Sequence, residues 1–225
     1  GSYENTQYAQ FDTFFEGMFT QKRLLDIIKN FICFSNEGIK RFKILAGYHQ
    51  YFAVNKAIES TKHATVTDGK GGVFWHTQGS GKSITMVLLA RWILANNPAA
   101  RVAIITDRDE LDKQIRDVFT DAGEVIERAA SGSDLLAKLA APSPRLLCSL
   151  VHKFGRREVD DIDAFIRELD GKPSLTKGEV FVFVDECHRT QSGKLHRLMK
   201  AMMPDAVFIG FTGIIAFISR CSLPL

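Results

Sequence analysis

Paired cysteines are the first thing this sequence lacks. Its four cysteines, Cys33, Cys148, Cys187 and Cys221, form no C-x-x-C pair and stand at no metal-ligand spacing with histidine. Three lie in or beside apolar runs and read as small buried hydrophobes in a reducing, intracellular compartment. No uninterrupted apolar stretch approaches the ~18 residues of a membrane span, so a cytoplasmic chain with no membrane partner is expected. Charge of one sign is also scarce: 29 basic against 26 acidic residues leave +3, which confines any contact with nucleic acid to a local patch. Internal repeats and low-complexity tracts are missing too. The start, Gly1-Ser2, carries neither a signal-peptide pattern nor a methionine and reads as an expression scar on a piece of something longer.

What is present is 225 residues, 45% hydrophobic and 24% charged, the composition of a soluble globular chain. Residues 3–47 are aromatic-rich. Apolar residues at 24, 25, 27, 28, 31 and 32 predict a helix over 21–34, and Phe11, Phe14, Phe15 and Met18 repeat that spacing one segment earlier. A further helix is expected over 47–58, then an exposed polar loop over 60–71. From there the pattern alternates. Strands are expected at 73–75, 102–106, 146–151, 180–184 and 206–211. Helices are expected at 82–94, 109–119, 133–140 (capped by Ser131 or Ser133), 162–169 and 194–203. Nearly unbroken apolar strands between amphipathic helices mean a parallel sheet covered on both faces. The fold class is therefore α/β, a parallel sheet with helices on both faces, preceded by a helical extension. Right-handed crossovers then bring the loops after the strands to one rim.

Two of those loops carry chemistry. Gly79 and Gly81 in Trp75-His76-Thr77-Gln78-Gly79-Ser80-Gly81-Lys82-Ser83 remove side chains, so backbone N–H groups can form an anion nest at the start of a helix. Thr77 and Ser80 belong to the same loop. Lys82 supplies a mobile charge for the β- and γ-phosphates, and the Ser83 hydroxyl a ligand for Mg2+. The strict pattern G-x-x-x-x-G-K-[ST] wants glycine where this chain has His76. Downstream, Asp185 closes a run of five apolar residues, where a carboxylate binds Mg2+ directly or through water. Glu186 beside it can polarise or deprotonate the attacking water. Without such a loop, these two acids would read as helix caps at a strand end. His188 lacks metal partners and fits a residue that hydrogen-bonds between a nucleotide site and a polynucleotide site. Gln50 can read adenine through two hydrogen bonds, although a lone glutamine is more often surface. ATP and Mg2+ are the cofactors these groups call for.

These residues resemble the motifs of superfamily 2 DNA translocases, in the form found in the R (HsdR-like, restriction and motor) subunit of type I restriction enzymes. The stretch 75–83 resembles motif I of that family, in which a histidine at position 76 is unsurprising. Ile105-Thr106-Asp107-Arg108-Asp109-Glu110-Leu111 resembles motif Ia, which implies DNA-backbone contact by Thr106, Asp107 and Arg108. Asp185-Glu186-Cys187-His188-Arg189-Thr190-Gln191 resembles motif II, implying catalytic roles for Asp185, Glu186 and Lys82 and a coupling role for His188. Tyr48-His49-Gln50-Tyr51-Phe52-Ala53-Val54 resembles the adenine-reading glutamine segment. Phe208-Ile209-Gly210-Phe211-Thr212-Gly213 resembles the start of motif III, with Thr212 in a coupling role. The resemblance implies a RecA-like P-loop NTPase lobe over 48–216, a helical extension or linker over 1–47 and an unassigned tail over 217–225. Implied partners are duplex DNA and the methyltransferase and specificity subunits of the restriction complex.

The departures carry expectations of their own. The family continues Phe-Thr-Gly-Thr-Pro where this chain reads Phe211-Thr212-Gly213-Ile214-Ile215. Neither a PD-(D/E)xK nuclease constellation nor a second motor lobe with its arginine finger is legible, and such a finger is worth roughly 10³–10⁵ in turnover. By itself the chain is expected to bind ATP weakly, to hydrolyse it poorly and not to cut DNA. Two other readings use the same residues. One is an RNA helicase or another superfamily 2 remodeller. The other is a non-enzymatic docking fragment, cued by the Phe and Tyr residues of 3–34.

Overall fold

Seven consecutive buried residues, Ala100–Thr106, make a strand that can only lie at the centre of a sheet. The computed structural model, which describes residues 11–37, 40–67, 69–77, 79–106, 109–150, 176–185 and 193–213, places it there. The chain runs α1 (Phe11–Met18), α2 (Gln21–Asn30), β1 (Ile32–Glu37), β2 (Lys40–Leu45), α3 (Tyr48–Ala64), β3 (Lys70–Trp75), α4 (Lys82–Asn96) and β4 (Ala100–Thr106). It continues through α5 (Asp109–Asp121), β5 (Glu127–Arg128), α6 (Gly132–Ala140), β6 (Leu146–Leu150), β7 (Glu179–Val184), α7 (Gly193–Met202) and β8 (Val207–Thr212). Strands β3 to β8 form one six-stranded sheet in the order β3-β8-β7-β4-β6-β5, and every pairing is parallel.

Alternate residues of β4 feed two cores, as the two-residue period of a strand requires. On one face Val102 and Ile104, with Phe74, Phe183, Ile209 and Phe211, pack under α3, α4 and α5 through Val54, Ile58, Met86, Leu89, Ile115 and Phe119. On the other, Ala103 and Ile105, with Leu147, Val182 and Phe208, pack under α6 and α7 through Leu135, Leu139, Leu198 and Met199. The expected architecture, a parallel sheet with helices on both faces, is therefore the one that forms. Each fully buried large apolar side chain contributes about 1.5–3 kcal/mol relative to exposure.

Two arginines close helix ends at the rim where the strands begin. Arg101, 3% exposed, donates to the carbonyls of Lys138, Leu139, Ala141 and Pro144 at the end of α6. Arg145 donates from Nη2 to the Leu94 and Asn97 carbonyls at 2.9 and 2.7 Å, and from Nε to the Ala100 carbonyl at 3.1 Å. Both add a charged donor to carbonyls of a helix's last turn or just beyond it, and set a cation against the negative end of that helix. At the start of α6, Ser131 is the cap: its Oγ accepts from the Asp134 N–H at 3.1 Å.

Before the sheet the structure departs from expectation. The helix expected over 21–34 stops at Asn30, and the chain then forms an antiparallel hairpin of β1 and β2, with Ile32 opposite Leu45. Phe31 and Cys33 are buried, but Phe34 and Phe42 point outward, so no clean alternation marked the strands. The helix expected to end at 58 continues to Ala64, because Thr61 and Ala64 extend the buried stripe of Ala57 and Ile58. It consumes part of the loop expected over 60–71, and β3 takes the rest from Lys70. Strand β5, two residues long, was not expected at all. The helix expected over 162–169 and the tail 217–225 lie outside the described residues.

The extension is tied to the lobe by polar contacts as well as by Phe31. Tyr51 Oη donates to Asp26 at 2.9 Å, and Arg91 of α4 donates to the Ile32 carbonyl at 3.1 Å while pairing with Glu124 at 3.1 Å. Among the described residues, no helix is long and apolar enough to cross a membrane.

Candidate nucleotide-binding site

The rim where the strands end collects the loops singled out from sequence. β3 ends at Trp75, opposite Thr212 of β8, and Val184 of β7 lies opposite Gly210 of that same strand. The loop after β3 and Asp185 after β7 are thus two strands apart, roughly 10 Å at the usual strand spacing. They stand at the same end of the sheet, on either side of β8.

The loop is built around two left-handed glycines. Gly79 has φ +82° and Gly81 φ +80°, values that a side chain disfavours. A turn closes between them and Thr77: Ser80 N–H and Ser80 Oγ both donate to the Thr77 carbonyl, at 3.2 and 2.7 Å. Space around Gly79 is open. Gly81 is the N-cap of α4, so the N–H groups of the first turn, at Lys82 and Ser83, have no acceptor within the helix and face that end. Lys82 Nζ reaches back to the His76 carbonyl at 3.4 Å, a long contact that leaves the ammonium available to an anion.

Gln50 is 8% exposed, and both ends of its amide are engaged with this neighbourhood. Its Oε1 accepts from the Gly47 N–H at 2.9 Å, half of a capping box, since a glycine cap has no side chain to reciprocate. Its Nε2 donates to the carbonyls of Ser80 and Gly81 at 3.3 and 3.2 Å. A Cβ at position 81 would lie 2.4 Å from that nitrogen, a second reason for glycine there. His76, the first residue of the loop, is partly buried, and burial, His49 and Lys82, in that order, hold its imidazole toward the neutral form.

Asp185 is 5% exposed, and its N–H donates to the Ile105 carbonyl at 2.9 Å. Thr106 and Thr212, expected among the DNA-facing or coupling residues, are 0% and 1% exposed. They are parts of the rim's interior and not of its surface. Glu186, His188, Asp107 and Arg108, and with them the expected catalytic glutamate and three of the five DNA or coupling residues, lie outside the described residues. Among the described residues no group of three or more His, Cys, Asp or Glu could hold a metal ion. A site that offers Mg2+ one hydroxyl and one carboxylate, the rest being phosphate and water, has no such group.

Residues 49–217 match the family model of the SWI2/SNF2 ATPase. The chain belongs to that family. Among its curated relatives are the putative type I restriction enzyme MjaIXP endonuclease subunit of Methanocaldococcus jannaschii and the type I restriction enzyme HindI endonuclease subunit of Haemophilus influenzae. The first is 30% identical over 93% of this chain and 20% of the relative; the second is 34% identical over 88% of this chain and 20% of the relative. The resemblance to type I restriction endonuclease subunits is borne out, and the chain spans about a fifth of the length of these relatives. Among solved structures, T4 UvsW superposes with a TM-score of 0.58 at 16% identity, covering 91% of this chain and 37% of that one. The Sulfolobus solfataricus SWI2/SNF2 ATPase core, solved with double-stranded DNA, superposes with a TM-score of 0.51 at 11% identity, covering 77% and 33%. These two likenesses bear out the fold, a RecA-like lobe.

Sequence reasoning missed one contributor. His49 Nε2 lies 3.2 Å from the Ser80 carbonyl, and its ring lies 5.6 Å from that of His76. Nothing in its local pattern marks His49 out; the contact joins residues 31 apart in the chain.

Proposed function

We propose that this chain is the ATP-binding first motor lobe of a type I restriction endonuclease subunit, whose full-length protein pulls duplex DNA at the expense of ATP before cutting it. The observation that carries the reading is the pairing on one rim of a Gly-Lys-Ser loop after β3 with a buried aspartate after β7, within residues matched to an ATPase family. The residues fit a magnesium–triphosphate: two positive-φ glycines, open space at Gly79, a helix start and a loosely held ammonium on one side, a carboxylate on the other. The loop N–H groups and Lys82 hold the phosphates, while Ser83 and Asp185 hold Mg2+. Bound there, the metal ion would neutralise phosphate charge as it develops. Glu186 orients or deprotonates water. An adenine edge at Gln50 needs one donor and one acceptor. Both are already engaged, so reading the base exchanges loop contacts for contacts with nucleotide.

Asp107 and Arg108 serve DNA grip, while Thr106 and Thr212, buried beneath the rim, serve coupling alone, with His188 relaying between sites. Contacts with duplex DNA are mainly to phosphates, hence sequence-independent and salt-sensitive. The methyltransferase and specificity subunits supply target choice, and the assembly works in the cytoplasm. The 225 residues alone hydrolyse ATP poorly and leave DNA intact. Duplex translocation by the full-length subunit in its complex tests the reading: Lys82→Ala is expected to abolish it, and retained translocation would refute the assignment. Magnesium-dependent nicking of a plasmid by the purified 225-residue chain would overturn the statement about cleavage. Stronger stimulation of the full-length ATPase by RNA than by duplex DNA would favour a different superfamily 2 enzyme.

A further inference from the structure

The first turn of α3 touches the nucleotide loop through more than its glutamine. His49 Nε2 meets the Ser80 carbonyl at 3.2 Å. A carbonyl can only accept, so Nε2 carries the hydrogen. The His49 ring lies 5.6 Å from the His76 ring at 62°, and the His76 ring lies 6.2 Å from Phe74 at 90°. Phe74 in turn stacks on Phe211 at 4.8 Å. An unbroken run of rings thus joins α3 to β8 through the first residue of the loop. That residue is otherwise held by its backbone: the His76 N–H donates to the Thr212 carbonyl at 3.1 Å, and its carbonyl receives the Lys82 ammonium at 3.4 Å.

A second observation shows that the arrangement is built. Position 47 is glycine, and a Cβ there would lie 2.9 Å from His49 Cε1 and 3.1 Å from Nδ1. Any side chain at the helix cap would displace the imidazole from its place beside the loop. Position 76, where a strict phosphate loop has glycine, carries the ring that His49 needs. The titratable groups acting on His76 are His49 from α3 and Lys82 from α4, and with burial they favour the neutral ring that packs edge-on against its neighbours.

We infer that His49 and His76 are positioning residues that hold the nucleotide loop in its phosphate-receiving shape. His49 does so by fixing the Ser80 carbonyl, and His76 by bracing the carbonyl that holds Lys82. Neither ring is assigned a contact with nucleotide. The inference rests on the reading of this loop as the triphosphate site, so its test has one arm that needs no nucleotide. Hydrogen exchange of the loop amides 79–83 in the 225-residue chain is compared among wild type, His49→Ala, His76→Gly and Gly47→Ala, with His49→Gln and His76→Phe as conservative partners. MgATP affinity is measured on the same proteins, with Lys82→Ala as control.

Loop exchange is expected to rise about 10-fold in the first three variants while β4 and β7 stay protected. His49→Gln keeps a donor and His76→Phe keeps a ring, so both are expected to restore most of the protection. The affinity for MgATP should follow the same order. Unchanged loop exchange in both His49→Ala and His76→Gly overturns the inference. So does a rise spread evenly through β4 and β7, the mark of general destabilisation, or a failure of both conservative variants to rescue. If Lys82→Ala binds MgATP as wild type does, the nucleotide reading fails, and the exchange arm still decides whether the two histidines hold the loop.

Discussion

The two rims of the sheet use their cations in opposite ways. Where the strands begin, Arg101 and Arg145 are spent on backbone carbonyls at and near helix ends, four for Arg101 and three for Arg145. Where the strands end, Lys82 makes one long contact, at 3.4 Å, among the described residues, and the glycine two residues before the helix cap has open space beside it. One rim engages the terminal guanidinium nitrogens of its arginines from within and therefore contributes stability. The other presents the first-turn N–H groups of α4 and a loosely held ammonium, groups that an anion from outside the chain could complete. On the proposed function, the same sheet separates holding from binding by which end of the strands a residue occupies.

The largest effect should come from the binding rim. Lys82→Ala is expected to weaken MgATP binding by 100-fold or more while leaving the thermal midpoint within a few degrees, roughly the change of a surface substitution. Calorimetry with and without nucleotide reads both quantities; a large loss of midpoint would break the comparison. Next in size, Arg101→Ala should cost about 3 kcal/mol of stability, because it removes a buried cation's hydrogen bonds to the Ala141 and Pro144 carbonyls just beyond α6. Urea unfolding checks this, and nucleotide affinity measured well below the midpoint should be preserved. A loss of affinity in the folded protein would show that the two rims are not separable.

The third test concerns the interior between them. Cys148 is fully buried, and its thiol is pushed up to about 12, first by burial and then by the neighbouring Asp112. With the folded value raised, the unfolded chain releases this proton first. The associated stability is fully present below about pH 8.5 and is lost as pH rises toward 12. A thiol reagent at pH 8 should therefore react with Cys148 only at the rate of unfolding, and Cys148→Ala should flatten part of the alkaline decline. Rapid reaction in the native state would contradict the burial. The smallest effect is expected from the surface pair Lys138–Glu127, at 3.8 Å. Glu127→Gln should change stability by no more than about 0.5 kcal/mol.

How much of this was legible follows the same division. The strands of the sheet were readable because Ala100–Thr106 and residues 180–184 are buried on both faces and so are apolar almost throughout. The place of the loop and of Asp185 at the strand ends was readable because each directly follows an apolar run. The hairpin of β1 and β2 was not readable, because Phe34, Phe42 and Leu45 are apolar and exposed, so polarity does not report which way a side chain points. The last turns of α3 were hidden by Thr61, a buried polar residue in a polar stretch. Arg101, Arg145 and His49 were out of reach for a further reason: their partners lie tens of residues away, and nothing local announces them.

The central claim is that Lys82 and Asp185, remote in sequence, meet around one triphosphate and its metal ion. ATP titration of the folded chain by calorimetry, with and without Mg2+, for wild type, Lys82→Ala and Asp185→Asn, tests it most directly. The account predicts that Lys82→Ala loses affinity under both conditions, whereas Asp185→Asn loses it only when Mg2+ is present. Wild-type affinity in both variants, or a loss in Asp185→Asn that is indifferent to Mg2+, would contradict it.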